Sequence, residues 1–481
     1  MRKKFITNLA LVVALNLLIK PFWIFGIDRT IQNMVGAAEY GFYFSLLNFS
    51  FLLNILLDLG INNYNNRNIA QNNQLLSKSL SSIIGLRLLL AVGYFVISLS
   101  IAGIIGYEWR QFKVLLFLLL NQFLASFILY FRSNLSGLHY FKTDSVLSVL
   151  DRTLMIIICS FLIWGSIFDQ PLQIEWFVYA QTASYFLAAA IAFVLVFRKA
   201  DFLKLNFDRT YFIAILRKSY PFALLTLLMA IYYRVDSVML ERMLPDGKVQ
   251  AGIYAQGFRI LDAVAMFAFL YAGLLLPMFS KMLKMKEEVN KLAYFSFLLL
   301  MIPVIALVFS AASYRQEIMD LLYHHHVAAS SGIFGILIFC YLGIATSYIF
   351  GTLLTANGNL KELNFMAMGG VLVNVILNLV FIPKMGARGS AIASLITQSL
   401  TAMMQILLVL YTFKFRLSIP KSVKLLIYIV GVYLMTRFAP ALGIDWYYSF
   451  FILLVASMLF AFSIRLITFR DLYLIVKYGD E

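Results

Sequence analysis

The chain has 481 residues, 62% of them hydrophobic and 13% charged, with a formal net charge of +16 at pH 7. A soluble globule needs a polar skin that this mixture cannot supply, so a bilayer is the expected solvent and nucleic acid is not an expected partner. The two cysteines, Cys159 and Cys340, both fall in apolar runs, which argues against a disulfide framework or a thiol metal site.

Hydropathy, broken at charged, Pro, Gly and Asn clusters, predicts about fourteen helical spans, each near the ~20 residues that cross a ~30 Å hydrocarbon core. The first, 6–27, follows the basic start Arg2, Lys3, Lys4 and is too long for a cleaved signal, so a retained first helix is expected. The next five are 41–62, 82–105, 112–131, 146–168 and 175–197, with an Asn-rich turn from Ile61 to Gln74 between the second and third. A further six follow at 219–240, 251–279, 291–311, 331–354, 364–382 and 389–411, and two more at 422–438 and 446–466. About 26 of the 39 Lys and Arg fall on one set of alternate connections, which places that set, and both termini, in the cytoplasm.

Two stretches echo one another. Lys20, Asp28-Arg29 and Tyr40-Gly41-Phe42-Tyr43 are answered by Arg234, Glu241-Arg242 and Ala251-Gly252-Ile253-Tyr254, and Leu135-Ser136-Gly137 by Ala356-Asn357-Gly358. The order and near-constant offset predict two six-helix bundles, 1–200 and 201–412, related by an axis along the membrane normal, with 413–481 holding two additional helices. The fold class expected is an all-α polytopic membrane protein.

The chain contains no phosphate-cradling GxxxxGK[ST], no HExxH, no CxxC pair and no GxSxG. His324, His325 and His326 are consecutive, and consecutive helical residues point about 100° apart, so a solvated loop is expected there and no metal or cofactor. Charges inside apolar spans carry more information, because an ionisable group there faces a wet cavity or a partner. Lys20 and Arg234 lie about 21 Å from the cytoplasmic ends of the first and seventh spans, and Arg259 and Asp262 lie about 12 to 17 Å below the outer surface on the eighth. Lys20, Arg234 and Arg259 are expected to line a cationic cavity, with Asp236 and Asp262 as ion-coupling groups; Arg259 and Asp262, three apart, can also neutralise each other. Arg87 is expected near the cytoplasmic headgroups as an entry-side phosphate contact. Glu39 and Asp58 are expected as capping or loop residues, and Tyr43, Tyr232, Tyr233 and Tyr254 as candidates for stacking on sugars.

The stretches Gly358-Asn359-Leu360-Lys361, Asn374-Val375-Ile376-Leu377-Asn378 and Ile382-Pro383-Lys384-Met385-Gly386-Ala387-Arg388-Gly389-Ser390-Ala391-Ile392-Ala393 resemble the second-half signature of bacterial oligosaccharide (Wzx-type) flippases. Glu39-Tyr40-Gly41-Phe42-Tyr43 and Asp58-Leu59-Gly60-Ile61 resemble the second span of the same family, in the MATE-like multidrug/oligosaccharidyl-lipid/polysaccharide exporter superfamily. Physically, Pro383 is expected to end a span, and Gly386 and Gly389 to permit the turn before the next. The resemblance implies alternating access, a basic cavity for a polyprenyl-pyrophosphate oligosaccharide, a bacterial inner-membrane location, and partnership with membrane lipids and other polysaccharide assembly proteins, H⁺ or Na⁺ being the candidate coupling ions. Rival readings are a lipid II flippase, an ion-coupled drug exporter and a membrane-embedded glycosyltransferase or polymerase. The drug exporter would favour an acidic pocket, and the last would need a catalytic group on an outer loop such as 312–330.

Overall fold

The computed structural model describes residues 15–16, 18–62, 76–138, 140–165, 170–199, 209–415 and 419–468. Residues 6–14 and 17 of the first expected span and most of the Asn-rich turn lie outside them. Among the described residues the chain is built of α-helices, with no strand. In order they are α1 (Arg29–Leu52), α2 (Leu76–Ile105), α3 (Trp109–Gly137), α4 (Phe141–Trp164), α5 (Ile174–Phe197), α6 (Arg209–Met243) and α7 (Gly247–Lys284). There follow α8 (Asn290–Ser313), α9 (Arg315–Leu322), α10 (Val327–Asn357), α11 (Leu360–Phe413), α12 (Ile419–Phe438) and α13 (Trp446–Ser463).

Ten of the described helices are long and apolar enough to cross a membrane. The expected fourteen spans differ from these for identifiable reasons. The 54-residue α11 contains two of them, divided at Gly386, whose φ of 56° and ψ of −137° break the helix. Pro383, expected to end the span, is carried inside the helix, and the break comes three residues later where glycine's freedom allows it. Gly389 completes the turn, since a Cβ there would lie 2.4 Å from the Phe381 carbonyl oxygen. The remaining expected spans fall on α1, on α12 and on 6–27.

The first helix does not stop at residue 27. A π-helical turn, Trp23–Asp28, leads straight into α1, and the chain turns at Gly36, with φ 80° and ψ 172°. Glu39 therefore sits near the start of the second span, not at a cap.

The chain forms two compact units, Met1–Ala255 and Gln256–Glu481. In the first, α1 packs against α3 and α6, and α5 against α3 and α4. Ile83, Leu86, Tyr130, Phe131, Leu135 and Val196 belong to one fully buried cluster there. In the second, α10 packs against α8 and α11, and α13 and α12 against α8. The division falls inside α7, between the repeat boundary expected near 200 and the end of the chain, because the α6–α7 turn is fastened to α1.

That fastening uses bare backbone. A Cβ on Gly41 would lie 1.8 Å from the Lys248 carbonyl oxygen, and one on Gly252 would lie 1.9 Å from that of Ala37. Gly41 and Gly252 are the equivalents in the two echoing stretches, and here they meet each other. The Gln32 amide donates to the Gly252 carbonyl at 3.0 Å, which fixes the crossing.

Candidate functional site

Lys20, in the turn before Trp23, lies within electrostatic range of Arg152, Asp151 and Arg132. Asn16 and Lys20 are four apart, as are Ser148 and Arg152 on α4, so each pair shares a helical face. The Asn16 amide donates to the Ser148 hydroxyl at 3.1 Å and sets those two faces in register. The Arg152 guanidinium stands over the Trp23 ring, 5.6 Å from its centroid, and 5.7 Å from that of Tyr185. Trp23 is itself stacked on Phe177 of α5 at 5.8 Å. Arg132, near the end of α3, pairs with Asp144 at 2.7 Å. This partly exposed group of Lys20, Arg152 and Arg132, with Arg152 over the buried Trp23 and Tyr185 rings, is the candidate site. Hydropathy does not single out Arg152, yet two adjacent charges, Asp151 and Arg152, inside an apolar run are a signal in themselves.

Arg234, on α6, is likewise set on aromatic faces: Tyr233 at 5.0 Å and Phe51 at 5.2 Å. One of its guanidinium nitrogens donates to the Asn48 side chain at 3.2 Å. Asp236 is buried and receives the Tyr254 hydroxyl at 2.9 Å. Asp28, also buried, receives the Tyr40 hydroxyl at 2.7 Å, so the first unit twice sets an aspartate beneath a tyrosine that follows it in the chain. Arg259 and Asp262 belong to the second unit, both partly exposed on α7 and three residues apart.

Arg87 has a setting unlike the one expected. Its side chain is fully buried; its guanidinium pairs with the Asp58 carboxylate and donates to Asn62 at 2.7 Å and to the Ser126 hydroxyl and carbonyl at 2.7 and 3.0 Å. The Tyr130 ring lies 4.7 Å away. With no exposed face it cannot snorkel, and it ties the 3₁₀ turn after α1 to α2 and α3. Asp58 is the turn residue expected, accepting from the backbone N–H groups of Gly60 and Asn62. Glu39 instead grips Arg110 through both oxygens, at 2.6 and 2.9 Å, while Glu175 takes the same guanidinium at 2.7 Å.

Of the four tyrosines, Tyr43, Tyr232 and Tyr254 are buried, and only Tyr233 keeps an open edge. Tyr43 is used up in packing on Phe177 and accepting from Gln181. The three consecutive histidines are exposed, and among the described residues no group of three or more His, Cys, Asp or Glu is placed to hold a metal ion. The second unit contains an apolar cavity of about 570 Å³ lined by Phe267, Tyr271, Pro303, Tyr341, Leu454 and Met458. It offers hydrocarbon contact and no charged group.

Solved structures share this architecture. "Lipid II flippase MurJ, inward closed conformation" superposes with a TM-score of 0.68 at 16% identity, over 96% of this chain and all of that one. An inward-facing multidrug resistance MATE family transporter of the MOP superfamily gives 0.61 at 15% identity, over 81% and 94%. A MOP superfamily transporter from Pyrococcus furiosus, described by a binding pocket of reversed polarity, gives 0.56 at 16% identity, over 85% and 95%. No curated protein sequence matches the chain. The sequence model of the polysaccharide biosynthesis protein family matches residues 24–283, more than half of the chain, from the π-helical turn through α7. The chain belongs to that family, and its fold is the one shared by MurJ and the MATE transporters.

Proposed function

We propose that this protein moves a polyprenyl-pyrophosphate-linked oligosaccharide from the cytoplasmic to the outer leaflet of a bacterial inner membrane. The observation that carries the reading is a set of cations among apolar helices, Arg152 over Trp23 and Tyr185 with Lys20 in electrostatic range, and Arg234 over Tyr233 and Phe51. Guanidinium groups bind phosphate in a planar, two-pronged manner, and aromatic rings hold them in place while offering stacking surface to sugars. Family membership supplies the polysaccharide context. Arg259, in the second unit, is proposed separately as a cationic contact of that unit, and Asp236 and Asp262 are the proposed coupling groups if an ion is exchanged.

The energetics need no further source. A headgroup carrying about two negative charges gains roughly 2.3 kcal/mol per charge when it leaves a cell whose interior is 100 mV negative. The protein's work is then to replace the water around the phosphates with partners weak enough to release them. The balance of charge in the site disfavours a cationic drug as cargo.

Deletion of the gene should cause lipid-linked oligosaccharide to accumulate on the cytoplasmic face, and expression of Arg234→Lys should relieve this better than Arg234→Ala. Absence of accumulation in the deletion strain would refute the reading. The likeness to MurJ favours lipid II as a second cargo, since it too is a polyprenyl pyrophosphate glycan. Rescue of a strain depleted of its lipid II flippase would assign the protein to that cargo instead.

A further inference from the structure

We propose that the start of α13 is a docking ledge for the neutral sugars of the cargo on the outer face of the membrane, with the Tyr447 and Tyr448 rings as stacking surface and Asp445 as hydrogen-bond acceptor. The inference rests on the flippase reading above and gives the glycan a contact that the reading leaves open.

Tyr447 and Tyr448 are 43% and 58% exposed, with ring centroids 4.3 Å apart and planes 49° apart, so they form an open corner. Rings so placed receive the C–H face of a pyranose, an apolar surface edged by hydroxyl groups. Those hydroxyls need partners, and the ledge has them. The Tyr447 hydroxyl donates to Asp445 Oδ2 at 2.9 Å, and the Asp445 side chain is exposed. Asp445 is the N-cap residue of α13, yet its carboxylate makes no capping bond. An aspartate at that position ordinarily accepts from first-turn N–H groups. Here it serves the ring edge instead, a departure from local preference of the kind that marks binding groups.

The ledge stands on a rigid base. Trp446 lies against Tyr314 with centroids 6.4 Å apart, and the buried Tyr314 hydroxyl donates to the buried Ser449 hydroxyl at 2.7 Å. Tyr314, Ala439 and Leu453 form one buried cluster there. A ligand therefore has little protein to order when it binds.

Tyrosines at a membrane rim also serve as headgroup anchors, and the first unit shows what such an anchor looks like. Trp109, 74% exposed at the start of α3, has the Lys113 ammonium 5.6 Å from its ring centroid, a cation suited to phosphate. Beside Tyr447 the charge is a carboxylate, which repels phosphate and accepts from sugar hydroxyls. Arg437, at the end of α12, is engaged elsewhere, its Nε donating to the Tyr433 hydroxyl at 3.1 Å. Residues 439–445 contain no Lys or Arg, and the charge rule puts that connection on the outer side. Further along, α13 exposes Phe451, Ile452, Val455 and Leu459, so the polar ledge caps a lipid-facing helix.

The test is saturation-transfer NMR on the full chain in nanodiscs of phosphatidylethanolamine and phosphatidylglycerol. The probe is the glycan cleaved by mild acid from the lipid-linked oligosaccharide that the deletion strain accumulates. Sugar ring protons should take up saturation from the protein, and glycerol 3-phosphate should not displace the glycan. Replacing both rings, Tyr447→Ala with Tyr448→Ala, should weaken binding about tenfold. Asp445→Asn should weaken it severalfold, and since it leaves the rings in place it decides the case should the double variant fold poorly. A deletion strain that accumulates no lipid-linked glycan removes the flippase reading, and this one with it. If glycan accumulates but the unaltered chain shows no transfer, or the double variant melts and binds like the parent, only the ledge falls. Displacement by glycerol 3-phosphate, or parental or tighter binding by Asp445→Asn, marks the rings as a headgroup anchor and overturns the assignment as well.

Discussion

Gly41→Ala tests the crossing of α1 with the start of α7. The added methyl would sit 1.8 Å from the Lys248 carbonyl oxygen and 2.5 Å from the Gly252 nitrogen, against an ordinary contact of 3.4 Å or more, and both neighbours are backbone. No rotamer can relieve that, so the helices must part by about 1.5 Å and the Gln32 bond to the Gly252 carbonyl is lost with them. Overpacking costs about 1–3 kcal/mol and a lost buried hydrogen bond about 1 more. The apparent melting temperature of the purified chain should fall by several degrees. Gly252→Ala, which clashes with Ala37 at the same crossing, should cost a similar amount, and the double variant should cost less than the sum, since helices already parted accommodate the second methyl. Parental melting of Gly41→Ala, or full additivity in the double variant, would refute the close approach.

Other perturbations follow from single contacts. Arg87→Ala should be among the most damaging polar substitutions in the first unit, at about 3–5 kcal/mol, because it strands Asp58 beside a void; a parental unfolding midpoint would count against the buried clamp. Gly386→Ala should lower the melting temperature through backbone strain of about 1–3 kcal/mol, because only glycine takes φ 56° with ψ −137° at little cost. Its failure to do so would mean that the α11 break lies elsewhere. Tyr107, between α2 and α3, has a buried hydroxyl with no hydrogen-bond partner among the described residues, and burial with nearby Glu241 holds its pKa above the ordinary value despite Arg242. Tyr107→Phe should therefore be neutral or slightly stabilising in a thermal scan, and a marked loss would reveal a partner for the hydroxyl.

The sequence made the class of the protein and most of its helices legible, because a 20-residue apolar run is a local pattern. Helix ends were less legible. Pro383 looks like a stop, but a proline's missing donor is tolerated inside α11, and the true break needed a positive φ that only Gly386 supplies. Charges were legible as rare events in apolar runs, and their partners were not. Arg87 reads like Arg234 in hydropathy, and what separates them is Asp58 and Ser126, distant in sequence and adjacent in space. Arg152 is not among the expected site residues, and the Trp23 and Tyr185 rings that hold it are distant in sequence and adjacent in space.

A joint made of two glycines has a mechanical character that knobs and holes lack. With no side chain to interlock, the α1–α7 crossing resists bulk strongly and resists rolling weakly, since turning one helix against the other forces no rotamer to jump. A small change of tilt at this contact within the first unit therefore requires no repacking of side chains there.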